Sequence, residues 1–242
     1  MRITERLKEK AQDINAHSPI VISFLGDSVT QGCFELYPTG EKTFQTEFRP
    51  DEAFSNKLKK LIESVLPNVA INMINAGLSG DKSFGGAERV QRDVISHNPD
   101  LCIVCYGLND VNRGLEQLDV YENALDSIFK QLNEANIEVI FMTPNMMSTY
   151  VVEEESNPHL RNVLKEVTKK QVEGVMDTYM EKALEVCAKN NISVCDCYKK
   201  WKQLNSIGVD TTRLLANRVN HPAEKMHWLF AASLFEMIMD LK

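Results

Sequence analysis

Four widely spaced residues have the types needed to cleave an acyl group: Ser28, Gly77, Asn109 and His221. A serine hydroxyl is a weak nucleophile until a positioned base removes its proton, and a neutral imidazole does this near pH 7. The tetrahedral intermediate carries an oxyanion, which needs fixed hydrogen-bond donors. The backbone amides of Ser28 and Gly77 and the side-chain amide of Asn109 are suitable donors. The set therefore predicts acyl transfer, with His221 as the base.

Short apolar runs precede three of these residues. The runs are rich in β-branched side chains and lie at residues 19–25, 69–74, 101–106, 137–142 and 192–195. Nearly continuous apolar runs of this length are typical of parallel strands that are covered on both faces. Because the carboxyl ends of parallel strands meet at one edge of a sheet, Ser28, Gly77 and Asn109 should lie close together there.

Amphipathic helical segments alternate with the apolar runs. Apolar residues recur at helical spacing over residues 54–65, 121–132 and 226–241, and Asp119 with Glu122 predicts a capping box before the second helix. The alternation predicts right-handed crossovers and a three-layer α/β/α sandwich with a central parallel sheet of about five strands. No repeat or linker divides the chain, so we expect a single domain over residues 1–242.

The sequence around His221 predicts a helix start. Pro222 suits the first position of a helix and Glu224 falls at the third. A histidine at a helix N-terminus is disfavoured in its protonated form by the helix dipole, so we expect a neutral base.

Two stretches, 33–50 and 145–162, are long for plain connections. Both follow the carboxyl ends of predicted strands, where open α/β sheets bind ligands. We expect them to shape the substrate site, with surface decoration as the alternative. Asp27 and Asp110, beside Ser28 and Asn109, are the predicted substrate-binding residues.

The motifs, taken in order, resemble those of SGNH (GDSL-type) hydrolases: Gly26-Asp27-Ser28 with Gly32, then Gly77, then Gly107-Leu108-Asn109-Asp110, then His221-Pro222. The resemblance implies a flavodoxin-like fold and ester hydrolysis without a metal or other cofactor, with Ser28, Gly77, Asn109 and His221 as the family residues. Bacterial members of this size often remove acetyl groups from carbohydrates, which predicts a small ester of that kind as substrate. Thioesters and lysophospholipids are the alternatives within the family.

The sequence departs from the family pattern at one position. The family usually places an aspartate three residues before the histidine, and Arg218 stands there in this chain. Either a backbone carbonyl orients His221 in a Ser–His dyad, or another acid such as Asp210 reaches the ring. A binding module that has lost turnover is the alternative from another class. A flavin- or nucleotide-binding protein is disfavoured, because neither a G-x-G-x-x-G nor a Walker motif occurs.

The bulk properties restrict partners and location. A formal net charge of −7 argues against binding nucleic acid or anionic lipid through a basic face. The sequence has no run of about 18 apolar residues, which is the length that a membrane span requires. The N-terminus has mixed charges and no signal-like apolar run, and the six cysteines have no metal-ligand spacing, so we expect reduced thiols and a cytoplasmic location. The sequence leaves the oligomeric state open, a homo-oligomer included.

Overall fold

The computed structural model of the protein describes residues 1–40, 43–153 and 157–241. Five of its strands form one parallel sheet in the spatial order β4-β1-β5-β6-β7. These strands match the five predicted runs and comprise β1 (Ile20–Gly26), β4 (Ile71–Gly77), β5 (Leu101–Cys105), β6 (Glu138–Met142) and β7 (Ser193–Cys195). The remaining two, β2 (Cys33–Pro38) and β3 (Phe44–Phe48), form an antiparallel hairpin.

Helices connect and cover the strands. In chain order they are α1 (Arg2–Gln12), α2 (Ser28–Gln31), α3 (Phe54–Val65), α4 (Ser83–Asp93), α5 (Leu118–Glu134), α6 (Pro158–Val172), α7 (Val175–Lys189), α8 (Cys197–Ser206) and α9 (His227–Ile238). Within the described residues, none of these helices has the length and hydropathy needed to cross a bilayer.

The strand order explains the two helical layers. The chain moves from β1 outward to β4 and then returns past β1 to β5, β6 and β7. Because such crossovers are right-handed, the reversal of direction puts α3 on one face and α4, α5 and α7 on the other. In agreement, α3 packs against α9, and α5 packs against both α4 and α7. The predicted α/β/α sandwich is therefore confirmed, and its switch point lies at the carboxyl end of β1.

Two predicted helix starts are wrong. Helix α5 begins at Leu118 after Gln117, so Asp119 lies in its first turn and makes no capping box. Helix α9 begins at His227 after a 3₁₀ turn, Glu224–Met226. Pro222 instead forms an isolated β-bridge with Leu215, which holds the preceding segment in a loop.

The two long stretches have structure of their own. The first forms the hairpin β2–β3, and the second runs from the end of β6 into α6. Residues 41–42 and 154–156, which belong to these stretches, lie outside the described residues. All six cysteines are buried and free, and the Sγ atoms of Cys195 and Cys197 lie 3.8 Å apart.

Candidate active site

Ser28 lies at the switch point of the sheet. It follows β1 directly and opens α2, whose first turn is capped by Asp27, since the Asp27 carboxylate accepts from the Val29 amide at 3.0 Å. Ser28 is only 4% exposed. The capped turn at the end of a central strand therefore fixes the position of the hydroxyl.

His221 reaches this hydroxyl from the other end of the sequence. Its Nε2 atom lies 2.9 Å from the Ser28 Oγ atom, and its Nδ1 atom lies 3.0 Å from the carbonyl oxygen of Phe34. A carbonyl oxygen can only accept, so Nδ1 must carry the proton. The Nε2 lone pair is then directed at Ser28, which is the tautomer that a general base requires.

Hydrogen bonds within the His221 loop hold the imidazole in place. The Asn217 side-chain oxygen accepts from the backbone amides of Val219, Asn220 and His221 at 2.9–3.0 Å. The buried Asn145, which follows β6, donates to the Asn220 carbonyl at 2.8 Å. The loop is thereby attached to the carboxyl edge of the sheet, where Ser28 lies.

His221 is neutral for a different reason from the predicted one. It is 5% exposed, and burial lowers its pKa to about 4 against the opposing effect of the Phe34 carbonyl. The ring is not at a helix N-terminus, because α9 begins six residues later. The predicted neutral base is therefore supported, but desolvation and not the helix dipole is its cause.

Arg218, at the family's usual acid position, and Asp210, the alternative acid, both have partners other than the His221 ring. Arg218 has a left-handed backbone, with φ 57°, and its guanidinium donates to the carbonyls of Arg213 and Leu215. Asp210 accepts from the Tyr150 hydroxyl at 2.7 Å and caps the Arg213 amide. The Phe34 carbonyl is thus the observed orienting group, in agreement with the dyad alternative.

Gly77 does not have the free amide expected of an oxyanion donor. Its N–H donates to the Asn75 side-chain oxygen at 2.9 Å. A Cβ atom at this position would lie 2.2 Å from the Gln31 backbone nitrogen. Gly77 is therefore required for the close approach of β4 to α2, and its assignment as a donor is corrected.

Gly80, which sequence reasoning passed over, is a better candidate. Its φ of 78° is in the left-handed region that favours glycine. On one side, the Ser79 amide donates to the Gln31 side chain at 2.7 Å; on the other, the Asp81 carbonyl accepts from Asn109 at 3.0 Å. Gly80 therefore lies between the Ser28 helix and Asn109. The only sequence signal for this position was the glycine within Ser79-Gly80-Asp81, because glycine favours such a turn.

Asn109 is held beside Ser28 by its side-chain amide. Besides the bond to Asp81, its Nδ2 atom lies 3.4 Å from the Asp27 carboxylate. Burial raises the pKa of Asp27 to about 7, with the Val29 amide opposing the shift. Of the two hydrogen bonds made by Asn109 Nδ2, the long one to Asp27 is weaker than the one to Asp81. The N–H that points to Asp27 is therefore available to donate to a developing oxyanion.

The two predicted substrate-binding acids have internal partners. Asp27 is 2% exposed and caps α2. Asp110 is also buried and accepts from the Ser83 amide and hydroxyl, at 2.9 and 2.6 Å, which anchors the start of α4. Burial raises the pKa of Asp110. This geometry favours positioning roles for both residues over direct contact with substrate.

Arg89 joins the strand ends around the site. This buried guanidinium donates to the carbonyls of Gly26, at 2.9 Å, and Ala76, at 2.6 Å, which lie at the ends of β1 and β4. It also forms ion pairs with Asp81 at 2.8 Å and Asp93 at 3.1 Å. Arg89 thus ties the segment that carries Gly80 to the strand that carries Ser28.

The second histidine of this region has a structural role. His227 is fully buried, accepts from the Phe54 amide at 3.1 Å, and packs on the Phe34 ring at 4.9 Å between centroids. Across the described ranges, no group of three or more His, Cys, Asp and Glu side chains is placed to hold a metal ion.

The fold and the site together define a class, an α/β/α protein with a serine and a histidine in contact at the carboxyl edge of a parallel sheet. Residues 24–229 match the GDSL-like Lipase/Acylhydrolase family, and the chain belongs to that family. The resemblance seen in the sequence motifs is therefore confirmed.

Known relatives agree with this assignment. Over 149 residues the chain is 30% identical to an acetylxylan esterase of Geobacillus stearothermophilus, and the match covers 58% of this chain and 64% of that protein. The crystal structure of an acetylxylan esterase from the same organism superposes with a TM-score of 0.65 at 24% identity, over 93% of this chain and 96% of the other. The lipase/acylhydrolase of Enterococcus faecalis gives a TM-score of 0.62 at 21% identity, over 91% and 96%. The structural likenesses establish the fold.

Proposed function

We propose that the protein is a serine esterase that removes a short acyl group, acetyl in the first instance, from a carbohydrate. The observation that carries the proposal is the 2.9 Å contact between Ser28 Oγ and His221 Nε2, in the tautomer selected by Phe34. Family membership and the acetylxylan esterase relative support ester hydrolysis and an acetylated sugar as substrate.

The mechanism follows from these contacts. Ser28 attacks the ester carbonyl while His221 takes its proton and then delivers a proton to the leaving alcohol. The amides of Ser28 and Gly80 and the side chain of Asn109 hold the oxyanion, and each such donor is worth about 2.7–4 kcal/mol. Water activated by His221 then attacks the acyl-enzyme and releases the acid.

The Phe34 carbonyl takes the place of the missing acid. Its dipole fixes the tautomer and faces the positive charge that develops on His221 during each proton transfer. The binding-module alternative depended on Arg218 having left the histidine without support, and the Phe34 contact removes that reason. The six buried, free thiols fit a reducing compartment and support our proposal of a cytoplasmic location.

The test is hydrolysis of p-nitrophenyl acetate and of acetylated xylose by the wild type and by Ser28→Ala and His221→Ala. We expect turnover of both esters by the wild type and loss of at least about 10³-fold in each variant. Longer p-nitrophenyl esters measure the acyl-length preference, and we expect the butyryl ester to be hydrolysed more slowly than the acetyl ester. Activity that survives Ser28→Ala would refute the mechanism, and turnover of aryl esters alone would refute the carbohydrate substrate.

A further inference from the structure

A groove of about 350 Å³ lies between α6 and the turn that follows Asn109. It is lined by Asn112, His159, Asn162, Val163, Glu166 and Val167. The two valines are half-buried or buried, whereas Asn112, Asn162 and Glu166 are exposed. The groove therefore has an apolar floor and a rim of amide and carboxylate groups.

The walls of this groove are connected to the segments that carry the candidate catalytic residues. Asn112 lies in the 3₁₀ turn Asp110–Arg113, three residues beyond Asn109. Helix α6 is reached through the loop in which Asn145 anchors the His221 segment. At one end, His159 stacks on Phe44 of the hairpin with 5.4 Å between ring centroids, and the same hairpin supplies the Phe34 carbonyl. The groove thus begins one turn beyond Asn109 and is bordered, through His159, by the hairpin that holds His221.

The chemistry of the lining suits a neutral sugar. Side-chain amides and a carboxylate offer adjacent donors and acceptors for neighbouring hydroxyl groups, while the valine floor suits the apolar C–H face of a pyranose ring. Among the six lining residues, Glu166 is the only carboxylate and there is no lysine or arginine, so an acidic sugar or a phosphate is disfavoured. The volume is at the lower end of small-molecule sites, which run from ~300 to 1,000 Å³.

We propose that this groove is a subsite for the sugar unit next to the acetylated one, so that the preferred substrate is a neutral oligosaccharide. The inference rests on the proposed function and adds to it a location for the rest of the saccharide, beside the turn that follows Asn109. It makes Asn162 and Glu166 specificity residues that act on substrate binding and not on the acyl-transfer chemistry.

The test compares substrates of increasing length in the double variant Asn162→Ala/Glu166→Ala. For acetylated xylotriose, kcat/KM should fall about tenfold or more, mainly through KM, because two polar contacts are lost. For p-nitrophenyl acetate and acetylated xylose it should change less than about twofold. Lys165→Ala/Lys169→Ala, on exposed positions of the same helix that do not line the groove, is the matched control and should leave all three substrates unaffected. Equal losses on all substrates, or none on xylotriose, would overturn the proposal.

A binding measurement separates this inference from the proposed function. Unmodified xylotriose is titrated by calorimetry into Ser28→Ala, with and without the groove substitutions. Binding that the groove substitutions abolish supports the subsite even if the wild type hydrolyses no acetylated sugar, in which case only the proposed function fails. Absence of binding, or binding that survives the substitutions, would overturn the subsite.

Discussion

The Nδ1 atom of His221 lies 3.0 Å from the carbonyl oxygen of Phe34, so the base is held by the peptide backbone of a hairpin 187 positions away. The Phe34 ring is itself held, since the Arg49 guanidinium lies 4.4 Å above it and His227 packs against it. Arg49 is in turn paired with Glu224 at 2.7 Å. A carbonyl in such a setting orients the imidazole but brings no formal charge to it.

The absence of a charged partner should show in the pH profile. Because burial holds the pKa of His221 near 4, kcat/KM for p-nitrophenyl acetate should stay level as the pH falls from 6 to 5 and decline around pH 4. Short assays, with residual activity checked after return to pH 6, separate titration from unfolding. An acid limb near pH 6.5 would mean that solvent or a carboxylate reaches the ring.

The raised pKa of Asp27 predicts a second change in kcat/KM, at higher pH. Its pKa is raised to about 7, and its ionised form places a negative charge beside Asn109, where it opposes the oxyanion. The kcat/KM value should therefore fall as the pH rises through 7. Asp27→Asn keeps the helix cap but cannot ionise, so the step should vanish. Asp119→Asn, an exposed acid on α5, is the control and should retain it.

Asn109→Ala tests the oxyanion site directly. Loss of one donor should lower kcat for p-nitrophenyl acetate by roughly 10²–10³ with little change in KM. Asn112→Ala, in the following turn, should leave this small ester unaffected. A decrease of less than about fivefold for Asn109→Ala, with the fold intact by circular dichroism, would remove Asn109 from the oxyanion hole.

Arg89 should be needed for stability as well as for site geometry. Arg89→Met leaves Asp81 and two strand-end carbonyls without their buried donor, and should lower the free energy of unfolding by about 3–5 kcal/mol. Arg89→Lys should recover little of this, because an ammonium cannot reproduce the guanidinium fork. The matched control is Arg92→Met, on the exposed face of the same helix, which should change stability by less than about 0.5 kcal/mol in urea unfolding.

His227 should make the fold sensitive to acid. Burial first, and then the charge of Lys57, lowers its pKa to about 3, whereas the unfolded chain takes up the proton near pH 6.5. The unfolded state therefore binds more protons, so stability is full above pH 6.5 and decreases as the pH falls. His227→Gln should reduce the slope of unfolding free energy against pH below about 6 by up to ~1.4 kcal/mol per pH unit. His97→Gln, at an exposed position, is the matched control.

The sheet could be predicted from the sequence because its strands are almost wholly buried and leave continuous apolar runs. The helix starts at α5 and α9 could not, since α5 begins one residue before Asp119 without a side-chain cap, and Pro222 is held in a β-bridge. For Pro222, the bridge to Leu215 replaced the predicted helical turn.

Within the site, the serine and the histidine were predictable from their motifs and from the edge to which the topology brings them. The correction from Gly77 to Gly80 depends on the hydrogen bond that occupies the Gly77 amide, and two glycines three residues apart in the sequence do not reveal that bond. The group that orients His221 left no signal at all, because a backbone carbonyl has the same chemistry whatever the side chain of residue 34.

The hairpin β2–β3 holds His221 through the Phe34 carbonyl and also packs, through Phe44, on His159 of the proposed subsite, which limits how the protein can be altered. Here a graft that replaced β2–β3 to change specificity would also remove the Phe34 carbonyl and disable the base. Evolution of new substrate preference in this lineage should therefore proceed through α6, while the length and register of the hairpin stay constant.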